Sequence, residues 1–214
     1  RCWEVCDSFR SLLRDSFLHT LTMALTTKLN AVNTMISVIG EAPVNSLGGS
    51  AVPVTVVQAE NTLDETSRAV QSEGWHFNTE HEYVLTPNTF DSKIILPNNT
   101  LRIDLDPQLY TDSDPVQRGN KLYDRKKHTD VWSKEVKASI TFDLPFEELP
   151  EQFRHYIAVK AARIFAARFL GSREIEGFAT RDEIEAKARA IDSDSENADR
   201  TIFDDYSVLR VLDR

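Results

Sequence analysis

The chain has 214 residues, 41% hydrophobic and 28% charged, which fits a folded domain with a sizeable core and excludes a long disordered polymer. Its formal net charge of −9 argues against a protein that grips nucleic acid, because holding phosphates needs a surplus of Lys and Arg. No apolar run reaches the roughly 18 to 20 residues of a membrane-spanning helix, and two cysteines, Cys2 and Cys6, with no suitably spaced His do not complete a zinc site.

Residues 1–22 differ in character from the rest of the chain. Phe9, Leu13, Phe17 and Leu21 recur at every fourth position, a spacing that allows an amphipathic helix. Arg14, Asp15 and His19 interrupt any signal-peptide core, and Met23-Ala24-Leu25 reads as a natural start. This stretch is therefore expected to be an extension of the reading frame or a vector-derived leader.

Leu25, Leu29, Val32, Ile36 and Ile39 fall on one helical face, with Gly40 placed to end the helix. A loop rich in Pro, Asn and Gly covers 41–49. A second helix is expected from about Pro53 through Val56, Ala59, Leu63 and Val70 to Glu73, stopped by Gly74. From Trp75 the pattern changes to β-formers, with strands expected at 75–86, 93–96, 100–105, 115–123, 130–132 and 136–144 and turns at Pro97-Asn98-Asn99 and Arg118-Gly119-Asn120. Leu149-Pro150-Glu151 opens a third helix. Its Phe153, Ile157, Ala161, Phe165 and Phe169 lie four apart, Arg154, Lys160, Arg163 and Arg168 form a basic flank, and Gly171 ends it. A fourth helix is expected from about Ser172 to Ile191, with Ile175, Phe178, Ala179 and Ile184 as its thin apolar face.

The expected fold is α+β. N- and C-terminal helices (23–74 and 149–191) form an antiparallel bundle, a small antiparallel β platform (75–148) is inserted between them, and 192–214 extends as an arm. That arm is acidic yet carries Ile202, Phe203, Tyr206, Val208 and Leu209, anchors suited to another protein's surface.

Motifs for nucleotide binding, serine hydrolysis and zinc proteolysis are absent. Among the histidines, His76 and His81 stand closest, on an expected strand where residues five apart face opposite ways and cannot share a metal. Neither a metal nor a cofactor is expected. The carboxylate clusters Glu147-Glu148, Glu174-Glu176 and Asp182-Glu183-Glu185 read as helix-end charges and a solvated face. Their alternative is a pair flanking a sugar-cleaving cleft. The local basic surplus Arg118, Lys121, Arg125, Lys126, Lys127, Lys134 and Lys137, interleaved with Tyr123 and Trp132, reads either as contact with DNA or an acidic partner, or as a solvated hairpin.

Four motifs in order carry a family resemblance. They are Ile39-Gly40-Glu41-Ala42-Pro43-Val44-Asn45-Ser46-Leu47; Gln71-Ser72-Glu73-Gly74-Trp75-His76-Phe77-Asn78; Val116-Gln117-Arg118-Gly119-Asn120-Lys121-Leu122-Tyr123-Asp124-Arg125; and Leu149-Pro150-Glu151-Gln152-Phe153-Arg154-His155-Tyr156-Ile157, the last followed by Lys160-Ala161-Ala162-Arg163 and Arg168-Phe169-Leu170-Gly171. From about Met23 to Phe203 the chain resembles the tail tubular protein A family of short-tailed bacteriophages. It departs from the pattern at Glu73, where the family carries a basic residue, and residues 1–22 have no counterpart.

The resemblance implies a structural virion protein and no enzyme: a twelve-fold homo-oligomeric ring that joins the portal protein to the tail nozzle (tail tubular protein B), with tail fibres near that joint. Such a ring would belong to the virion tail, be assembled in the host cytoplasm and have no membrane insertion. Genomic DNA would pass through its lumen unbound, a passage that a negative wall would ease. Ile202, Phe203, Tyr206, Val208 and Leu209 would hold the portal, and Arg118, Tyr123, Arg125 and Trp132 the nozzle or a neighbour. The alternative function is a tail-associated hydrolase acting on bacterial carbohydrate.

Overall fold

A computed structural model of the chain describes residues 25–49, 52–105, 110–170 and 173–198, the side chains of 170 and 173–179 excepted. Four helices and two small antiparallel sheets make it an α+β protein.

Helix α1 (Lys28–Val38) starts where the Thr27 hydroxyl accepts from the Asn30 N–H at 3.2 Å. It ends as the spacing predicts. Gly40, at φ +83°, lets the Gly40 and Glu41 N–H groups return to the Ser37 and Ile36 carbonyls, which satisfies the last turn. Helix α2 (Val54–Gln71) follows Pro53 and buries Val56, Ala59, Leu63 and Val70, the predicted stripe. Gly74 stops the chain at φ +82°.

Beyond it, His76–Asn78 form one 3-10 turn and lead into β1 (Thr79–Leu85). Four more strands follow: β2 (Thr100–Asp104), β3 (Pro115–Arg118), β4 (Lys121–Asp124) and β5 (Val136–Phe142). β5 lies between β1 and β2, antiparallel to both, while β3 and β4 form a hairpin around Gly119. The runs 93–96 and 130–132, expected as strands, instead make isolated bridges, Lys93 to Val131 and Ile95 to Lys121. The first of these runs lies edge-on beside β4, where the Leu122 N–H bonds to the Ile94 carbonyl at 3.1 Å and the Leu96 N–H to the Asn120 carbonyl at 2.8 Å.

Helix α3 (Glu151–Leu170) follows the turn Phe146–Glu148, and α4 (Arg173–Asn197) continues six residues past the predicted end at Ile191. The first residues read from sequence as arm are thus helical. α1, α2 and α4 each pack on α3. Its Phe153, Ile157, Ala161 and Phe165 are buried as spaced, but Phe169 stays 43% exposed. Arg154, expected on the basic flank, is 5% exposed and belongs to the interior.

Two apolar clusters result. One joins all four helices, and the other lies under the sheet with Leu122, Trp132, Ile140 and Phe142. Leu144 touches both.

Candidate interaction surface

Much of the motif content turns out to fasten the chain. Arg154 donates from Nε to the Leu149 carbonyl at 2.7 Å and from Nη1 to the Thr26 carbonyl at 3.1 Å, and it also reaches the Glu147 carbonyl. Glu151 accepts from the Thr26 N–H at 2.9 Å and from its hydroxyl. The first turn of α3 therefore clamps the segment that precedes α1. Asn33 pins the Ala42-Pro43-Val44 loop by exchanging two bonds with the Val44 backbone, at 2.9 and 3.0 Å.

Gln71 does the same between the layers. Its amide exchanges bonds with the Leu144 backbone at 2.8 and 3.0 Å and donates to Asp143 at 3.2 Å. Asn78, 2% exposed, donates to the Gln71 and Phe142 carbonyls and accepts from the Trp75 N–H. The Trp75 indole N–H donates to the Val70 carbonyl at 2.8 Å. Buried polar groups satisfied in this way hold a single arrangement, because leaving any of them unpaired is costly. A segment rich in Gln, Asn and Trp at a helix stop is the signal for such a junction.

The outward face of the hairpin is the more exposed feature. Val116 pairs with Tyr123 and Arg118 with Lys121, so these four share a face while Leu122 points inward. The Arg118 guanidinium lies 3.7 Å from the centre of the Tyr123 ring, a cation–π contact that holds both side chains in place. Ile95, 53% exposed, adjoins this face through its bridge to Lys121.

Arg125 is mostly exposed, 3.6 Å from Asp114. Trp132 departs from expectation. It is 8% exposed, and its indole N–H donates to the Leu122 carbonyl at 3.0 Å, so it is a core residue beneath the hairpin. Its polar neighbours in sequence conceal this, since burial is set by the facing strand.

The basic surplus is also partly engaged at home. Lys126 and Lys127 bond to the Thr111 carbonyl and the Ser113 hydroxyl, and Lys137 pairs with Glu82 at 3.2 Å. Buried Asp124 organises the turn. Burial works against its charge, but the N–H groups of Asp114, Lys127 and Lys126 outweigh that and hold its carboxyl below the ordinary value.

His76 lies ahead of β1, in the 3-10 turn, where its N–H bonds to Asp194 of α4 at 2.9 Å. The opposite-face argument therefore does not apply. Both His76 and His81 line one open cleft of about 450 Å³ with Glu73, Arg102 and Asp104. Among the described residues, no group of three or more His, Cys, Asp or Glu is placed to hold a metal.

The expected carboxylate clusters do not converge on one cleft among the described residues. Glu183 pairs with Arg163 and Glu185 with Arg189, while Glu174 and Glu176 lie outside the described side chains. Asp64, Asp143 and Glu147 do share a cleft of about 460 Å³, with Lys28 and Arg68. There Lys28 pairs with Asp64 and Glu60, both at 2.9 Å. Burial raises the Asp143 carboxyl above its ordinary value, and Arg68 opposes that shift.

The family model described as a tail tubular protein matches residues 29–200, from α1 to beyond the end of α4. The chain belongs to the tail tubular protein family. Tail tubular protein A of Klebsiella phage KP34 is 30% identical over 131 residues, 61% of this chain and 67% of that relative. Membership makes the chain a structural component of a bacteriophage tail, as the motif order implied. The one motif departure has a partner: Glu73 faces Lys187 of α4 at 3.6 Å. In this family member the acidic residue thus joins the α2 stop to α4. The anchors Ile202, Phe203, Tyr206, Val208 and Leu209 lie outside the described residues.

Proposed function

We propose that the chain is the subunit of an adaptor ring, twelve copies in the round, that joins the portal protein to the tail nozzle, lies near the tail fibres and lines the channel through which the genome leaves. The observation that carries this reading is the family match running through all four helices. The net charge of −9 per copy supports a lumen that repels phosphate. In this reading the four helices act as one bundle interrupted by the β region, and the work is structural, done by interfaces and without a cofactor.

The portal contact falls to Ile202, Phe203, Tyr206, Val208 and Leu209. The nozzle or neighbour contact falls to Arg118, Tyr123 and Arg125, where a cation stacked on an aromatic ring gives a rigid contact element. Assembly would take place in the host cytoplasm.

Native mass measurement combined with portal pull-down tests the assignment. Because α4 runs to Asn197, the informative truncation removes 199–214 and spares the helix. The truncated chain is expected to keep its oligomeric state and lose portal capture at least tenfold. Portal capture equal to that of the full chain overturns the anchor assignment, and a chain that never forms rings, alone or on portal, overturns the adaptor.

A further inference from the structure

Helix α4 carries apolar side chains on two opposite sides. Ala186 and Ala190 are buried at 3% and 0% exposure against the helical core, whereas Ile184 and Ile191 are 66% and 43% exposed. At about 100° per residue, Ile184, exposed Ala188, Ile191 and Ser195 form a strip about 60° wide, directly opposite Ala186. A surface helix normally keeps a single apolar stripe for its own core. A second stripe, with small Ala188 between two isoleucines, is shaped to let another helix surface approach closely.

The same chain has a hollow for such a stripe. Between α2 and the C-terminal half of α3 lies an open groove of about 550 Å³, lined by Gln58, Asn61, Glu65, Phe165, Arg168 and Phe169 among others. The Phe165 and Phe169 rings, 4.5 Å apart, make its floor, with Phe165 buried and Phe169 43% exposed. One turn before Asn61, on the same side of α2, Val57 is 44% exposed. The rim carries both signs, Arg168 beside Glu65 at 3.4 Å, and so does one flank of the α4 stripe, where Arg181, Glu185 and Asp192 lie together.

Stripe and groove cannot meet within one molecule. α4 packs along α3 with its alanine side, so the isoleucine stripe points away from the helix that forms half of the groove. We propose that the Ile184/Ala188/Ile191 stripe of α4 seats in the α2–α3 groove of a second copy of this chain. The two surfaces differ, so the contact is head-to-tail, and its repetition generates a closed ring where the rotation allows. This inference rests on the adaptor-ring reading and assigns the helical faces that build the ring.

The test uses the full chain with Cys2→Ser and Cys6→Ser, into which Ile184→Cys is introduced in one preparation and Asn61→Cys in another. After mild oxidation, a disulfide-linked pair is expected only when the two preparations are mixed. Separately, the double variant Ile184→Asp/Ile191→Asp, altered at two exposed positions, is expected to keep the wild-type melting temperature at a dilution where both chains are monomeric. Its self-association, read by native mass measurement, is expected to weaken at least tenfold.

Pairing of the Ile184→Cys chain with itself would mean that two stripes meet each other, and overturns the proposal. So does a mixture that stays unlinked while the wild type forms rings, which leaves the adaptor reading intact and fits occupation of the groove by residues 1–24. Rings formed by the double variant as readily as by wild type also overturn it. A mixed disulfide in a protein that never closes a ring upholds this contact and overturns the ring.

Discussion

In the helical layer, Arg154 and Gln71 reach across long stretches of chain, whereas in the β-hairpin Asp124 acts mainly on its neighbours. Arg154 bonds to Thr26, 128 positions away, and Gln71 bonds to Leu144, 73 positions away. Asp124 serves mainly the N–H groups two and three residues beyond it, plus that of Asp114. Loss of a bond in the first kind of network releases a distant segment, while loss in the second loosens one turn. The difference assigns global stability to the helical layer and local shape to the hairpin.

The largest test of that contrast is Arg154→Met, which keeps much of the apolar stem and removes every donor. Three carbonyls lose a partner, so urea unfolding should show a loss of about 3 kcal/mol. A loss under about 1 kcal/mol would mean that the clamp on Thr26 contributes little.

Asp124→Ala comes next, at about 1 to 2 kcal/mol, with faster amide exchange confined to Asp114 and 125–129. Its carboxyl is held below the ordinary 3.8, so its contribution is present above that value and fades as pH falls through the lower folded one. The gap between wild type and variant should therefore close in strong acid. Fast exchange spreading into α3 would break the contrast.

The smallest effect is expected at Asp143, where burial raises the carboxyl above 3.8. A raised acid favours the fold below its ordinary value and loses that advantage as pH rises through the folded one. Asp143→Asn should therefore melt higher than wild type at pH 7, by less than about 3 °C, with no difference near pH 3. A lower melting temperature at pH 7 would show that the charged form is needed at the junction.

The helix faces were legible because one apolar period governs them: Val56, Ala59, Leu63 and Val70 are buried as spaced, and Gly40 and Gly74 stop helices at positive φ. Periodicity has no access to what a side chain meets across the fold. Arg154 looks like a surface cation until Thr26, Glu147 and Leu149 turn their carbonyls toward it. Trp132 sits among charged residues in sequence yet fills the space beneath Leu122.

The apolar pattern places Ile184 on the inner face of α4, but it lies on the outer one, because small alanines occupy the face against α3. Within the hairpin, Arg118 and Tyr123 stand out by composition alone. Their stacking follows from the register that places Val116 opposite Tyr123 and Arg118 opposite Lys121.

The β region leaves and rejoins the helices through two strands that lie side by side, with Thr79 opposite Thr141, and the Gln71 amide ties its exit at Leu144 to the end of α2. Only two chain segments cross this root, although β2 also flanks it, with Thr100 opposite Phe142 and the Asp143 N–H bonded to the Asn99 carbonyl, so what lies beyond these contacts can be lengthened, shortened or exchanged without moving a helix. Relatives can diverge in what hangs below the root while the layer above it stays interchangeable, so a graft cut before Thr79 and after Asp143, which carries the β2 partners with it, is the natural unit for recombining one tail with another.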